Sequence, residues 1–236
     1  MATETPLIVP TADGSSTLFL PELGEHYHSI KGALTESRHV FVEMGMKACP
    51  VVEPKILEVG FGTGLNAWLS CLEATDSRRP TRYTAVELHP LKWELLTDLY
   101  PDLQADEVFR RMHATAWSRN EDLTDYFALH KVEGTIQSFA EQAIHVSEHW
   151  DVIYFDAFSP EKQPEMWTQE LFAQLFVLLA DGGMLTTYCA KGEVRRRLQS
   201  VGFRVERLPG PPGGKREILR ATKGLVADNC IHKQPH

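Results

Sequence analysis

The chain has no long apolar run. No uninterrupted stretch approaches the roughly 20 residues that a bilayer-crossing helix needs, so membrane partners are not expected. Its first residues, Met1-Ala2-Thr3-Glu4, lack the basic start and apolar centre of a secretory signal. Only four cysteines occur, Cys49, Cys71, Cys189 and Cys230, and no two form a C-x-x-C pair. That scatter argues against a disulfide frame or a cysteine zinc site, and fits reduced thiols in a cytoplasmic protein. His26 and His28 have no third partner at ligand spacing, so no metal is expected. Net positive charge is also missing: the formal charge is −8. Its distribution is uneven, however. Residues 1–190 carry 13 Lys and Arg against 28 Asp and Glu, whereas residues 191–223 carry 10 against 3. The C-terminal excess, which includes Lys191, Arg195, Arg196, Arg197, Lys215 and Arg216, reads as either a phosphate-contacting surface or an ordinary solvated helix face.

The 236 residues suffice for one large α/β domain with small additions. Its organising stretch is Ile56-Leu57-Glu58-Val59-Gly60-Phe61-Gly62-Thr63-Gly64-Leu65-Asn66. A β-branched run from Lys55 to Val59 ends in three alternate glycines, and apolar residues at helical spacing follow. The pattern predicts strand, tight turn and helix, the first βα unit of an open sheet. Glycine suits such a turn because it accepts positive φ and lets a ligand approach bare backbone. The G-x-G-x-G spacing differs from the G-x-G-x-x-G of a dinucleotide site. Glu58 would sit badly beside a pyrophosphate but well beside a cationic amino acid. A ligand carrying an ammonium and a sulfonium, of which S-adenosylmethionine is the common one, fits better; the bland alternative is an ordinary βα turn.

In chain order, Leu7–Thr11, Asp13-Gly14 and Ser16–Leu20 predict a β-hairpin appendage. The polar and aromatic loop Gly24-Glu25-His26-Tyr27-His28-Ser29 is expected to line or close a pocket, with Tyr27 against the ligand. A helix beginning near Thr35 has Val40, Phe41 and Met44 on one face. Tyr83–Glu87 is the second strand, and Glu87 falls about 20 residues past the glycines, where an acid accepts both ribose hydroxyls; otherwise it caps the next helix. The long segment from Pro101 to Lys131, with helical pieces at Ala105–Met112 and Leu123–Leu129, is expected to build substrate or lid surface. Thr135–Phe139 reads as the end of a third strand or the turn after it, followed by a short helix over Ala140–Glu148. Trp150–Asp156 is the fourth strand, so Asp156 shares a rim with Gly60, Gly62 and Glu87. A helix over Met166–Leu179, a turn at Asp181-Gly182-Gly183, a fifth strand Met184–Cys189 and a basic helix Val194–Val201 follow. Phe203–Leu208 and Lys215–Thr222 pair as a terminal hairpin, and Val226–His236 is a frayed tail. The boundaries are thus an N-terminal hairpin and loop over residues 1–30, the main domain over 31–224 and the tail over 225–236.

Seven strands, the G-x-G-x-G turn, an acid after strand two and Asp-x-x-x-Pro after strand four resemble class I (Rossmann-like) S-adenosylmethionine-dependent methyltransferases, whose sheet is mostly parallel with a terminal antiparallel hairpin. Asp13-Gly14-Ser15, Gly24–Ser29, Phe61–Asn66 and Asp156-Ala157-Phe158-Ser159-Pro160 with Pro164-Glu165-Met166-Trp167 together resemble the MnmC-type tRNA-modifying methyltransferases. That resemblance implies methylation of the primary amine of 5-aminomethyl-2-thiouridine at the tRNA wobble position. It implies S-adenosylmethionine held by Tyr27, Glu58, Gly60, Phe61, Gly62, Gly64, Leu65, Asn66, Glu87, Asp156 and Pro160, with tRNA as partner. The aminomethyl substrate would come from a separate flavin-dependent oxidase. Where the family often has Gly-Asp, this chain has Gly134-Thr135, so Gln137 or a backbone carbonyl is expected to meet the adenine amino group. Asp156 is the candidate proton acceptor, or else it orders its loop. Phe158 or Trp167 could stack on the target base, although Trp167 fits equally in a core. Competing readings are a small-molecule N- or O-methyltransferase, a non-catalytic binding protein of the same fold and a dinucleotide oxidoreductase.

Overall fold

The computed structural model describes residues 5–224; the expected tail and Cys230 lie outside the described residues. At the start of the chain, β1 (Leu7–Pro10) and β2 (Ser16–Leu20) pair antiparallel across the Asp13-Gly14 turn. Asp13 does more than turn the chain. Its carboxylate accepts from the Ser15 and Thr11 hydroxyls and, 22 residues on, from the backbone N–H and hydroxyl of Thr35. The hairpin is therefore tied to the short helix α1 (Ala33–Ser37), which continues as a π-wound helix over Arg38–Met46. A third strand, β3 (Glu25–His26), pairs with β2, so the appendage is a three-stranded sheet.

The main sheet follows. The chain runs through β4 (Lys55–Val59), α2 (Leu65–Asp76), β5 (Thr81–Glu87), α3 (Trp93–Leu99), α4 (Glu107–Ala114), β6 (Asn120–Thr124), β7 (Phe127–Glu133) and α5 (Ile136–His145). It closes with β8 (Trp150–Phe155), α6 (Gln169–Leu178), β9 (Leu179–Thr187), α7 (Gly192–Ser200), β10 (Arg204–Pro209) and β11 (Glu217–Thr222). The strand order is β10-β11-β9-β8-β4-β5-β7-β6. Neighbours from β9 to β7 run parallel, and β11 returns antiparallel to β9 and β10 as the expected terminal hairpin. The class I methyltransferase architecture is present, with one strand more than the seven expected.

The extra strand arises where the apolar spacing of Leu123–Leu129 suggests a helix. Leu123–Leu129 is not helical: β6 and β7 form an antiparallel hairpin, and β7 pairs parallel with β5 as the true third strand. Phe127, Leu129 and Lys131 alternate inward along β7, and Lys131 is only 1% exposed. A lysine at an inward position masks the period of two. Its ammonium donates to the His113 carbonyl and lies near the Phe61 and Trp117 rings, and burial lowers its pKa to about 8. Thr135 accordingly falls in the turn after the third strand, one of the two readings the sequence offers for it, and is the N-cap of α5, its hydroxyl accepting from the Ser138 N–H; residues 136–139 already belong to the helix. Asp181-Gly182-Gly183 is taken up as an irregularity inside β9, where the register with β8 jumps from Trp150–Leu179 to Val152–Met184.

Helices cover both faces of the sheet. On one, α5, α6 and α7 pack Ile136, Leu171, Phe172, Leu175 and Leu198 against Leu57, Ile153 and Phe155. On the other, the π-wound helix and α2 pack Phe41, Met46 and Cys71 against Ile56, Tyr83 and Tyr154. Trp167 belongs to the first core. It is 0% exposed, lies edge-on to Phe155 and Phe172, and donates its indole N–H to the Phe158 carbonyl at 2.7 Å. It cannot stack on a nucleobase; its role is to hold the loop after β8. Trp167→Ala should cost about 3–5 kcal/mol of unfolding free energy by cavity formation, measured as a lower urea midpoint with an unchanged slope.

Candidate functional site

Beyond the carboxyl ends of β4, β5, β7, β8 and β9 lies a cavity of about 860 Å³, at the upper end of the range for small-molecule sites. The order of the strands explains its place. From β4 the chain builds outward to β5 and β7, then returns to β8 on the opposite side, which opens a crevice at the switch point. Gly60, Gly62 and Gly64 follow β4 with φ of 90°, 51° and 74°. A side chain at Gly60 would meet the Asp156 carbonyl at 2.9 Å, and one at Gly62 would press on the Tyr27 ring at 3.2 Å. The turn thus presents bare backbone because no side chain fits. Glu87, at the end of β5, accepts from the Gly62 N–H at 2.9 Å and the His89 N–H at 2.7 Å. Its carboxylate is held at the cavity wall with acceptor capacity left for a diol.

Asp156 sits directly after β8. Its backbone N–H donates to the Val59 carbonyl, and its Oδ2 accepts from Asn66 Nδ2 at 2.8 Å. Burial pushes its carboxyl up to about 7, opposed by the Asn66 hydrogen bond, raised further by the Glu36 charge and lowered by Lys215. The same Asn66 amide donates to Glu58 Oε1 at 3.0 Å. Glu58 is 0% exposed, its other oxygen has no hydrogen-bond partner, and burial drives its pKa well above the usual carboxylate range. Burial thus favours the protonated form of Glu58 beneath the floor.

The structure sorts the candidate residues. Tyr27, Gly60, Phe61, Gly62, Glu87, Asp156 and Phe158 lie together on the cavity wall. Glu58, Gly64, Leu65 and Asn66 do not; they pack behind it, and Glu58 reaches the cavity only through Asn66 and Asp156. Pro160 faces a separate, smaller hollow. The segment Pro101–Lys131, expected to build substrate surface, contributes nothing to the wall and instead packs against α2 and Phe61. Gly134, Thr135 and Gln137 are on the wall, the position anticipated for an adenine contact.

The basic residues disperse. Lys215 lines the cavity, paired with Glu36 at 3.0 Å. Lys191 pairs with Glu161, while Arg197 donates to the Trp167 carbonyl and approaches Glu193. Arg196 and Arg216 are exposed, and Arg195 is partly buried.

The N-terminal loop roofs the cavity. Tyr27 packs edge-on against Phe158, and the Ser159 hydroxyl donates to Glu25. His28 Nε2 meets the Thr63 hydroxyl at 2.9 Å, and that hydroxyl also accepts from Tyr100. Burial lowers His28 to about 4, so its ring is neutral near pH 7. Sequence reasoning missed Glu36 and Tyr188 on the wall. Tyr188 was within reach, since it follows β9 as Asp156 follows β8. Glu36 gave no signal, because an acid in a first helical turn is ordinary.

Comparison with known proteins bears on this geometry. A family model described as S-adenosyl-L-methionine-dependent methyltransferase matches residues 105–224. The bifunctional protein MnmC of tRNA 5-methylaminomethyl-2-thiouridine biosynthesis from Pseudomonas fluorescens is 32% identical over 219 residues, covering 82% of this chain and 31% of its own. Its Cupriavidus metallidurans counterpart is 30% identical over 248 residues, 96% of this chain and 35% of its own. The chain thus spans about a third of the length of these relatives. The crystal structure of MNMC2 from Aquifex aeolicus superposes with a TM-score of 0.74 at 26% identity, covering 98% of this chain and 75% of that one.

The raised pKa of Asp156 makes a stability prediction. Folded Asp156 holds its proton up to about pH 7, whereas unfolded Asp releases it near 3.8. The group therefore favours folding below about pH 4 relative to pH 8, and its ionisation opposes folding increasingly between those values. Asp156→Asn should gain stability over the parent between pH 5 and 8. The gain should be on the order of 2 kcal/mol, reduced by cavity water from the ~4 that the full shift implies. Paired urea titrations at the two pH values check it.

Proposed function

The chain belongs to the family of S-adenosyl-L-methionine-dependent methyltransferases represented by the MnmC proteins, and from that premise we propose that it methylates a primary amine on tRNA. The substrate is the aminomethyl group of 5-aminomethyl-2-thiouridine at the wobble position, and the product is 5-methylaminomethyl-2-thiouridine. The observation that carries this reading is Asp156: a carboxyl group on the cavity wall, beside the glycine turn, with its pKa held at about 7.

The donor fits the residues present. Gly60 and Gly62 leave room for a ligand against bare backbone, Glu87 offers acceptors for a ribose diol, and Thr135 and Gln137 lie where an adenine edge could be met. When bound, S-adenosylmethionine supplies an electrophilic methyl group. What the protein must supply is a neutral amine, correctly placed. A primary alkyl amine is mostly protonated near pH 7, so a nearby base must take the proton before nitrogen can attack. Asp156 is suited to that task because a base works best with a pKa near the operating pH. Asn66 fixes its carboxylate, and the burial of Glu58 disfavours a second negative charge in the floor. Phe158, half-exposed on the wall and edge-on to Tyr27, is the aromatic available to stack on an unstacked uridine.

The basic C-terminal segment supports tRNA as partner, with Arg195, Arg196 and Arg216 and the partly paired Lys191 and Arg197 as phosphate contacts; Lys215 is assigned to the cavity instead. A separate flavin-dependent oxidase as source of the amine is part of the same reading. The competing small-molecule methyltransferase draws on one observation: Arg207–Glu217 and Arg220–Glu206 neutralise part of the basic excess. Labelled cofactor incubated with bulk tRNA from a strain lacking the modification separates the two, since only a tRNA enzyme places label in a wobble nucleoside.

Two further outcomes are expected. Asp156→Ala should lower turnover by at least about 100-fold while cofactor binding falls by less than tenfold, and kcat/KM of the parent should climb as pH rises through 7. Unimpaired turnover in that variant removes Asp156 from the mechanism. Separately, replacing Arg196 or Arg216 with Ala should each flatten the salt dependence of tRNA binding by about one unit of log-log slope; an unchanged slope removes that residue from the contact surface.

A further inference from the structure

Part of the cavity wall away from the glycine turn is built for a cation, and the chain's own lysine occupies it. Glu36, in the first turn of α1, is buried, with 8% of its surface exposed, and lines the cavity. Its Oε2 accepts from the Ser29 backbone N–H at 3.1 Å and its Oε1 from Lys215 Nζ at 3.0 Å. The same ammonium stands 3.7 Å from the centre of the Tyr188 ring, well within cation–π range. Tyr188 is anchored in turn, its hydroxyl donating to the Ala157 carbonyl at 2.9 Å, one residue past Asp156. A fixed carboxylate and an aromatic face, both on one cavity wall with Asp156, are the groups that receive a primary ammonium.

The two partners in the ion pair are not equally committed. The Glu36 side chain is 10% exposed, whereas that of Lys215 is 42% exposed. Lys215 follows the Pro-Gly-rich loop of residues 210–214, outside the sheet, and reaches in on a flexible stem. It is the more exposed partner and its stem is long, so it can be exchanged for another cation while Glu36 and Tyr188 stay.

We propose that Glu36 and the Tyr188 ring form the subsite for the substrate's primary ammonium, that Lys215 fills it in the absence of substrate, and that the incoming amine displaces Lys215 beside Asp156. The inference rests on the amine-methylating reading given above and names the groups that select an amine. The lysine does two things there. It keeps a buried carboxylate neutralised until substrate arrives, and it competes with any cation that is not also held by the rest of the nucleoside. Because the donor molecule also carries a primary ammonium, the test must tell the two sources apart.

Calorimetry on the full chain, saturated with S-adenosylhomocysteine, would compare 5-aminomethyluridine with uridine, which lacks the amine. The amine should bind at least tenfold more tightly to the parent protein, and Glu36→Gln should remove most of that preference. Lys215→Met should move the other way, tightening the amine at least threefold with uridine unchanged, because the internal competitor is gone. A merely structural ion pair would give weaker or equal binding of both nucleosides. S-adenosylhomocysteine should bind both variants as it binds the parent. The inference is overturned by a parent without preference, by a preference that survives Glu36→Gln, or by Lys215→Met leaving amine binding unchanged or weaker. A Glu36→Gln protein that melts like the parent yet loses S-adenosylhomocysteine tenfold assigns the subsite to the donor's ammonium, which also overturns it. Should that variant not fold, the sign of the Lys215→Met effect decides. Label transfer to tRNA by the parent is scored apart: its absence sinks the methylation reading, while transfer without any Glu36 effect on amine binding sinks only the subsite.

Discussion

One amide group, Asn66 Nδ2, is shared by two carboxyl groups under the cavity floor, and the arrangement of the site depends on that sharing. Glu58 arrives from β4 and Asp156 from the end of β8, neighbouring parallel strands, so the sheet itself brings two acids close in a region with little water. Two buried anions side by side would be costly. The conflict is resolved unequally. Glu58 is fully buried, which favours its protonated form, while Asp156 opens onto the cavity with its pKa raised to about 7. Asn66, in the first turn of α2, can serve both because the glycine turn places that turn directly over the strand ends. Gly60, Gly62 and Gly64 thus have two tasks: exposing backbone to a ligand and setting the helix whose amide holds Asp156.

The roof is built by a different logic. The N-terminal sheet contributes few residues to the main cores but many polar ties. Asp13 joins the hairpin to α1, Thr17 pairs with the backbone of His28, Glu25 receives the Ser159 hydroxyl, and His28 meets Thr63 in the glycine turn. Hydrogen bonds of this kind fix orientation more than they add stability. Their combined effect is to register Tyr27 against Gly62 and Phe158, and Glu36 against Tyr188. The appendage is therefore the second wall of the site: without it the sheet would present a crevice open on one side.

How much of this could be read from the sequence follows from where the signal is local. The glycine turn, Glu87 and Asp156 were legible because each lies at a strand's carboxyl end, where periodicity gives way to a rule about topology. The β6–β7 hairpin was not, since Lys131 occupies an inward position and Leu123–Leu129 carries apolar spacing compatible with either period. Glu58 lies on β4 as read from the sequence, but that it packs behind the cavity wall with Asn66, eight residues away, as its donor is a tertiary detail that the run Lys55–Val59 does not carry. Glu36 and Lys215 are 179 residues apart in sequence, and only the fold of the terminal hairpin brings them together. Contacts across such separations leave no trace in local pattern.

Charge shows the same gap between composition and structure. The +7 balance of residues 191–223 suggests a continuous basic surface, yet the fold divides it among different tasks. Arg207 and Arg220 are matched across the β10–β11 ladder by Glu217 and Glu206, and Lys223 donates to the Leu179 carbonyl. Lys215 turns inward to the cavity, and Arg197 ties α7 to Trp167, the residue that supports the Phe158 loop. What remains outward is a smaller set on α7, at the start of β10 and on the β10–β11 loop, with Arg196, Arg204 and Arg216 exposed. An ion pair carries no net charge and contributes little field at a distance, so attraction for a polyanion rests on the cations of the segment that are not paired. Only a few residues of the segment are therefore free to grip a polyanion. Those few arise from the same C-terminal segment that sends Lys215 into the cavity, which places the gripping surface and the amine-selecting subsite under one short stretch of chain.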